Sequence, residues 1–119
     1  TTSMSAGAVY MLRTAGDWAM ADADAASTST GLLAIALGSA SDNDGMLLRG
    51  TATISTDPGD VGQILYLSTT GGRLQSSAPS GSGDIVRVAG YKLRNIDGWN
   101  DDSETQIWFN PDSAWVEIA

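Results

Sequence analysis

The sequence predicts an all-β domain, a compact antiparallel β-barrel or sandwich of about nine or ten short strands with little helix. Three observations carry this. Short runs of apolar, β-branched and aromatic residues recur along the chain, bounded by clusters of glycine, proline, serine, asparagine and aspartate. No segment places apolar residues on the 3.6-residue period that a docked helix requires. The stretch 59–93, GDVGQILYLSTTGGRLQSSAPSGSGDIVRVAGYKL, reads as three strands with two punctuated turns.

Taken in order, residues 1–7 are small and polar and read as a lead-in. Residues 8–13, AVYMLR, are a strand that turns at Thr14, Ala15, Gly16 and Asp17 into a partner over 18–20, giving a first hairpin. Residues 21–30, ADADAASTST, have no apolar stripe and are expected as a loop with at most one helical turn. Residues 31–38, GLLAIALG, form a continuous apolar run between glycines, the pattern of a strand buried on both faces at the centre of the core. After a polar loop over 39–45, residues 46–54, MLLRGTATI, are expected as one strand with Gly50 as a bulge.

Asp57, Pro58, Gly59 and Asp60 turn the chain into a strand over 64–68. Thr69, Thr70, Gly71 and Gly72 reverse it, and residues 73–77 return. Residues 78–83 break the pattern and 85–93 start a new strand. Residues 94–104 collect turn formers and charge around Trp99. The chain finishes with 106–109, a type I turn at Asn110, Pro111, Asp112 and Ser113, and 114–118, which predicts a terminal hairpin with aromatics on both arms.

Length and charge bound the function. The 119 residues suit one β domain, 1–119, and the opening on Thr1 rather than methionine leads us to expect the C-terminal part of a longer chain. With 14 acidic and 6 basic residues the formal charge is −8. That charge repels phosphate backbones and anionic headgroups, so neither nucleic acid nor a membrane is an expected partner. The longest apolar run, 32–37, is far short of the ~20 residues of a membrane span, and no signal peptide is visible. There is no cysteine and no histidine. The commonest general base, the commonest metal ligand and the most nucleophilic side chain are thereby absent from any mechanism, and no enzyme is expected.

Few residues invite a chemical reading. Asp42, Asp44 and Gly45 match part of a calcium loop but lack its distal bidentate glutamate, so a solvated turn is favoured; calcium there is the only metal candidate, and no other cofactor is expected. Asp101, Asp102 and Glu104 read as a hydrated acidic loop. Pro79, Ser80, Gly81, Ser82, Gly83 and Asp84 have neither the strand-to-helix turn nor the histidine of a nucleophile elbow, and neither the lysine nor the helix of a phosphate cradle. Trp18, Trp108 and Trp115 lie on hairpin arms, where packing is the simpler reading, whereas Trp99 in its polar loop suits capping a core edge and contacting a partner or a sugar about equally well. Arg87, between Val86 and Val88, is expected to pair with a carboxylate of the same or a neighbouring subunit. The strand 85–93 and the segment 107–118 are the expected subunit interface, with Arg87, Tyr91, Trp99, Trp108, Phe109 and Trp115 as its candidate residues.

Five blocks, GLLAIALG (31–38), GMLLRGTATI (45–54), GQILYLSTTGG (62–72), APSGSGDIVRVAGYKL (78–93) and IWFNPDSAWVEI (107–118), together resemble the C-terminal domain of virion structural proteins of tailed bacteriophages, of the tail-fibre or appendage type found in marine phages. A looser similarity is to small β-barrel head-decoration proteins. The resemblance implies a non-enzymatic homotrimer in the phage particle, extracellular after release, that contacts other virion proteins of tail or capsid. The alternatives are a capsid decoration (cement) protein that stabilises the head and, third, a module binding host-surface glycan through Trp99 and the acidic loops. The family offers no catalytic residue to transfer.

Overall fold

The computed structural model describes residues 4–39, 44–54, 58–95 and 105–119. The strands are β1 (Val9–Leu12), β2 (Trp18–Met20), β3 (Leu33–Ala36), β4 (Met46–Leu47), β5 (Gly50–Ile54), β6 (Ile64–Leu67), β7 (Leu74–Gln75), β8 (Ile85–Val86), β9 (Val88–Asn95), β10 (Thr105–Phe109) and β11 (Val116–Glu117). The chain is all-β, as the sequence predicts, and every pairing is antiparallel. The one helical feature among the described residues is a 3-10 turn, Ala26–Thr28, inside the expected loop.

Two sheets pack face to face. The first has the order β2-β1-β3-β4, the second β5-β10-β9-β6-β7, and a short pair β11-β8 continues beside them. Strand alternation fills the space between: Val9, Met11, Leu33 and Ile35 from the first sheet meet Ala52, Ile54, Leu65, Leu67, Ile107 and Phe109 from the second. Each aliphatic or aromatic side chain buried this way contributes about 1.5–3 kcal/mol. All four residues of β3 are buried, as the uninterrupted apolar run requires. Leu33 and Ile35 face the core, while Ala36 faces a second, smaller cluster with Met4 and Tyr10 on the outside of the first sheet, against which Ala8, Trp18 and Met46 pack.

That outer cluster corrects the reading of the lead-in. From Met4 onward the segment folds back over the first sheet: Met4 N–H donates to the Ser39 carbonyl (3.0 Å), Gly7 N–H to that of Ala36 (2.8 Å), and Ser5 N–H to the Tyr10 hydroxyl (2.9 Å). Met4 is buried as a result.

Three further expectations change. Residues 46–54 are not one bulged strand: β4 belongs to the first sheet and β5 to the second, and Gly50, at φ +138°, opens β5 where the chain crosses over. The strand 85–93 divides at Arg87 into β8 and β9. The terminal hairpin does not exist, because β10 pairs with β5 and β9 while β11 pairs with β8. The C-terminal segment instead runs antiparallel beside the whole of β8 and β9. Between its two strands Asn110 N–H donates to the Ala89 carbonyl (2.8 Å) and Asp112 N–H to that of Val88 (2.9 Å). Pro111 thus sits in a bulged continuation of this ribbon.

Backbone bonds stitch the sandwich along one side. Where β1 and β2 approach the turn between β6 and β7, Gly72 N–H donates to the Ala21 carbonyl (2.7 Å) and Val9 N–H to that of Gly72 (2.9 Å). Ala23 adds two more bonds, its N–H to Ser68 O (2.9 Å) and its carbonyl from Ile85 N–H (2.7 Å). Gly72 adopts φ +77°, which only glycine takes without strain, so the glycines that reverse the hairpin also let it touch the other sheet.

Candidate interaction surface

The outside of the second sheet brings the exposed Tyr91 together with the half-buried Trp108 and Tyr66. In β10 alternation turns Ile107 and Phe109 inward and leaves Gln106 and Trp108 outward; in β6 it turns Leu65 and Leu67 inward and leaves Ile64 and Tyr66 outward. Register then aligns them. Trp108 lies opposite Thr51 on one side and Tyr91 on the other, and Tyr91 lies opposite Ile64, so one row crosses four strands. Neighbouring rows carry Val88, Tyr66 and Gln75, and Thr53, Gln106 and Arg94. Arg94 Nε donates to Gln106 Oε1 (3.1 Å). None of these rows contains a carboxylate, in a chain of net charge −8.

A glycine makes the central row possible. Gly90, at φ +152°, lies opposite both Phe109 and Leu65, and a Cβ there would be driven into the Trp108 carbonyl oxygen. Its missing side chain lets β10 close on β9 and sets Trp108 beside Tyr91. Beside this row a shallow open cleft of about 380 Å³ runs past Val88, Gly90, Tyr91 and Trp108 to Asn110, Pro111, Asp112 and Ser113. Tyr91 is 45% exposed and Ile64 39%. Such a surface offers flat apolar contact and ring stacking.

Arg87 behaves differently from its expectation. Its side chain is turned inward and is only 5% exposed. No carboxylate among the described residues pairs with it: Nε donates to the Asp112 carbonyl (2.7 Å), and Nη1 donates to the carbonyls of Ser29 (2.9 Å) and Gly31 (2.6 Å). Burial pulls the guanidinium below its ordinary pKa, and the nearby Asp112 carboxylate partly offsets this. The fork ties the segment before β3 and the bulge before β11 to the break between β8 and β9. Arg87 is therefore an internal clamp. Lys92 is likewise buried, with Nζ donating to the Gly59 carbonyl (2.6 Å).

Of the other expected interface residues, Tyr91 and Trp108 come together in the central row. Phe109 does not join them, because adjacent strand residues face opposite ways and Phe109 is fully buried in the core. Trp115 is 42% exposed and lies away from that row, next to β11. Trp99, Asp42, Asp101, Asp102 and Glu104 lie outside the described residues. Asp44 is exposed against Gly38, and no group of three or more metal-ligating side chains occurs among the described residues. Ile64, Tyr66 and Thr51 were not singled out from sequence; the alternation of ILYL and TATI marks one face of each, but the cross-strand register that assembles them is not local.

No family model, curated protein or solved structure matches the chain.

Proposed function

We propose that this chain is a non-enzymatic structural module of a bacteriophage particle, held by its uncovered surfaces against copies of itself and against a larger fibre shaft or shell. The observation that carries the reading is the outer face of the second sheet, where Trp108, Tyr91, Ile64 and Tyr66 share adjoining rows with no carboxylate among them. The resemblance of five sequence blocks to virion appendage domains supports the same reading. Large aromatics left exposed or half-buried on an outer sheet face are the composition of contact surfaces, and a sheet lacking acidic residues is where one copy of an acidic protein approaches another at least cost.

Sedimentation velocity of the purified chain tests this directly. Concentration-dependent association at micromolar protein is the expected result. A strict monomer across that range, or turnover of a substrate by the purified chain, would overturn the reading. Copy number in purified particles then separates an appendage, present in few copies, from a decoration of the head.

A further inference from the structure

We propose that the free edge of β5 pairs with the same edge of a second copy, antiparallel about a two-fold axis through Ala52, so that two five-stranded sheets join into one. This rests on the reading that copies associate, and adds where they meet and in what register.

Among the described residues β5 is bonded on one side only, to β10. The other edge strands carry guards against pairing: β7 is two residues long and preceded by Arg73, β4 is two residues long, β11 is two residues long and contains Glu117, and β2 is flanked by Asp17 and Asp22. β5 is five residues long, GTATI, with neither charge nor proline. Edge strands are normally protected by shortness, charge, proline or cover; β5 has full length and neither charge nor proline within it, and the one described charge beside it is Arg49, ahead of its first residue.

The space beside it is open as well. The sheets are stitched together through Gly72, Ala21 and Ala23, and the Ile54 end of β5 lines a smaller cavity with Gly72 and Leu74. On the β5 side they part around a cavity of about 420 Å³, between Ile35, Ala36 and Leu37 on one wall and residues 51–54 on the other, closed at one end by Ala6 and Gly7. No charged side chain lines it, and Leu37 beside it is 54% exposed. Two bodies of charge −8 repel, so contact is cheapest where no carboxylate lies, as at β5 and the rows it begins. The strand is also self-complementary. With Ala52 on the axis, Thr51 of each copy faces the partner's Thr53, and the outward threonines match in size and hydrogen-bonding capacity. Pairing of this kind makes the number of copies even, where the sequence resemblance implies three.

The register supplies the test. Thr51 and Thr53 are both exposed, so charges are accommodated at either position without disturbing the core. Thr51→Lys/Thr53→Lys places like charges opposite each other twice across the axis and is expected to weaken association at least tenfold in sedimentation velocity. Thr51→Lys/Thr53→Glu places opposite charges across the same axis and is expected to restore it. Circular dichroism and thermal melting of both variants monitor the fold, and since both carry a Thr51→Lys change, any damage from that substitution is common to them. Wild-type association that both variants retain unchanged would overturn the edge pairing while leaving self-association in place. Loss in the first variant without recovery in the second, or an assembly of exactly three, would also overturn it. A wild-type chain that stays monomeric removes both this inference and the reading beneath it.

Discussion

Arg87 shows how one side chain decides the path of two strands. A guanidinium can donate in several directions at once, and here it reaches three backbone carbonyls, of Ser29, Gly31 and Asp112, that have left the regular ladders. A buried acceptor deprived of its donor costs about 1–3 kcal/mol, so Arg87→Ala is expected to lower the unfolding free energy in urea by about 3 kcal/mol or more. Arg87→Lys is expected to recover less than half of that, because one ammonium cannot span carbonyls on opposite sides. A loss below about 1 kcal/mol for the alanine variant would show that the clamp is not needed. At the surface the signs of two carboxylates differ. Asp17 is held below its ordinary pKa by hydrogen bonding to Arg13, so its contribution to stability is present above the unfolded carboxylate range and is lost as the pH falls. Asp22 is raised, first by desolvation and then by the proximity of Asp24 and Asp84. Its folded form binds a proton more readily than its unfolded form, so its contribution falls as the pH rises through the raised value. Asp22→Asn, which keeps the acceptor for Asp24 N–H, is therefore expected to stabilise the chain at neutral pH. Water screens the site, so the gain is below about 1 kcal/mol. It should vanish in melts below the carboxylate range, and a gain that persists there would assign the effect to something other than charge.

At the scale of elements, local residues set the turns and long-range partners set the ends. β3 was legible because six consecutive apolar residues between glycines fit a strand covered on both sides, as its four central residues are, and the hairpin β6-β7 because two adjacent glycines permit its reversal. The splits at Gly50 and Arg87 were not legible. An apolar run does not say that its two halves will pair in different sheets, and an arginine between two valines looks like an outward strand residue until the ladder breaks around it. The terminal turn shows the same limit, since Pro111 announces a bend but not whether the following segment returns on β10 or continues past it. The candidate surface was half legible. Alternation permits only one of Trp108 and Phe109 to face outward, and the choice falls to the one whose neighbours β5 and β9 present Thr51 and Tyr91 on that side. The N-terminal segment is a further case where the element's role lies in its packing. Met4 anchors it over Tyr10 and Ala36, so Met4→Ala is expected to cost about 2 kcal/mol in thermal or urea unfolding, the low end for a buried methionine because the cluster is small. An unchanged midpoint would mean that the segment is held by its backbone bonds alone.

For the whole molecule, shape and charge combine. The Cα positions span 40 × 36 × 19 Å, a slab two sheets thick. One broad face is covered by the chain's own N-terminal segment and the other carries the aromatic rows. Those rows carry no carboxylate of their own, and a pair of copies joined along β5 still brings two bodies of charge −8 together. Repulsion between them acts over roughly 30 Å at 0.01 M salt and about 8 Å at 0.15 M. The contact itself is made of backbone bonds, threonines and apolar surface, which such screening does not weaken. Association is therefore expected to tighten with added sodium chloride, by several-fold between low and physiological ionic strength, and to tighten again as the pH is lowered toward the pI near 4.1. Sedimentation velocity over a salt series measures the sign. If copies met instead through ion pairs between their few cations and many carboxylates, salt would loosen them, so dissociation on raising the salt would place the contact away from the uncharged edge and rows described above.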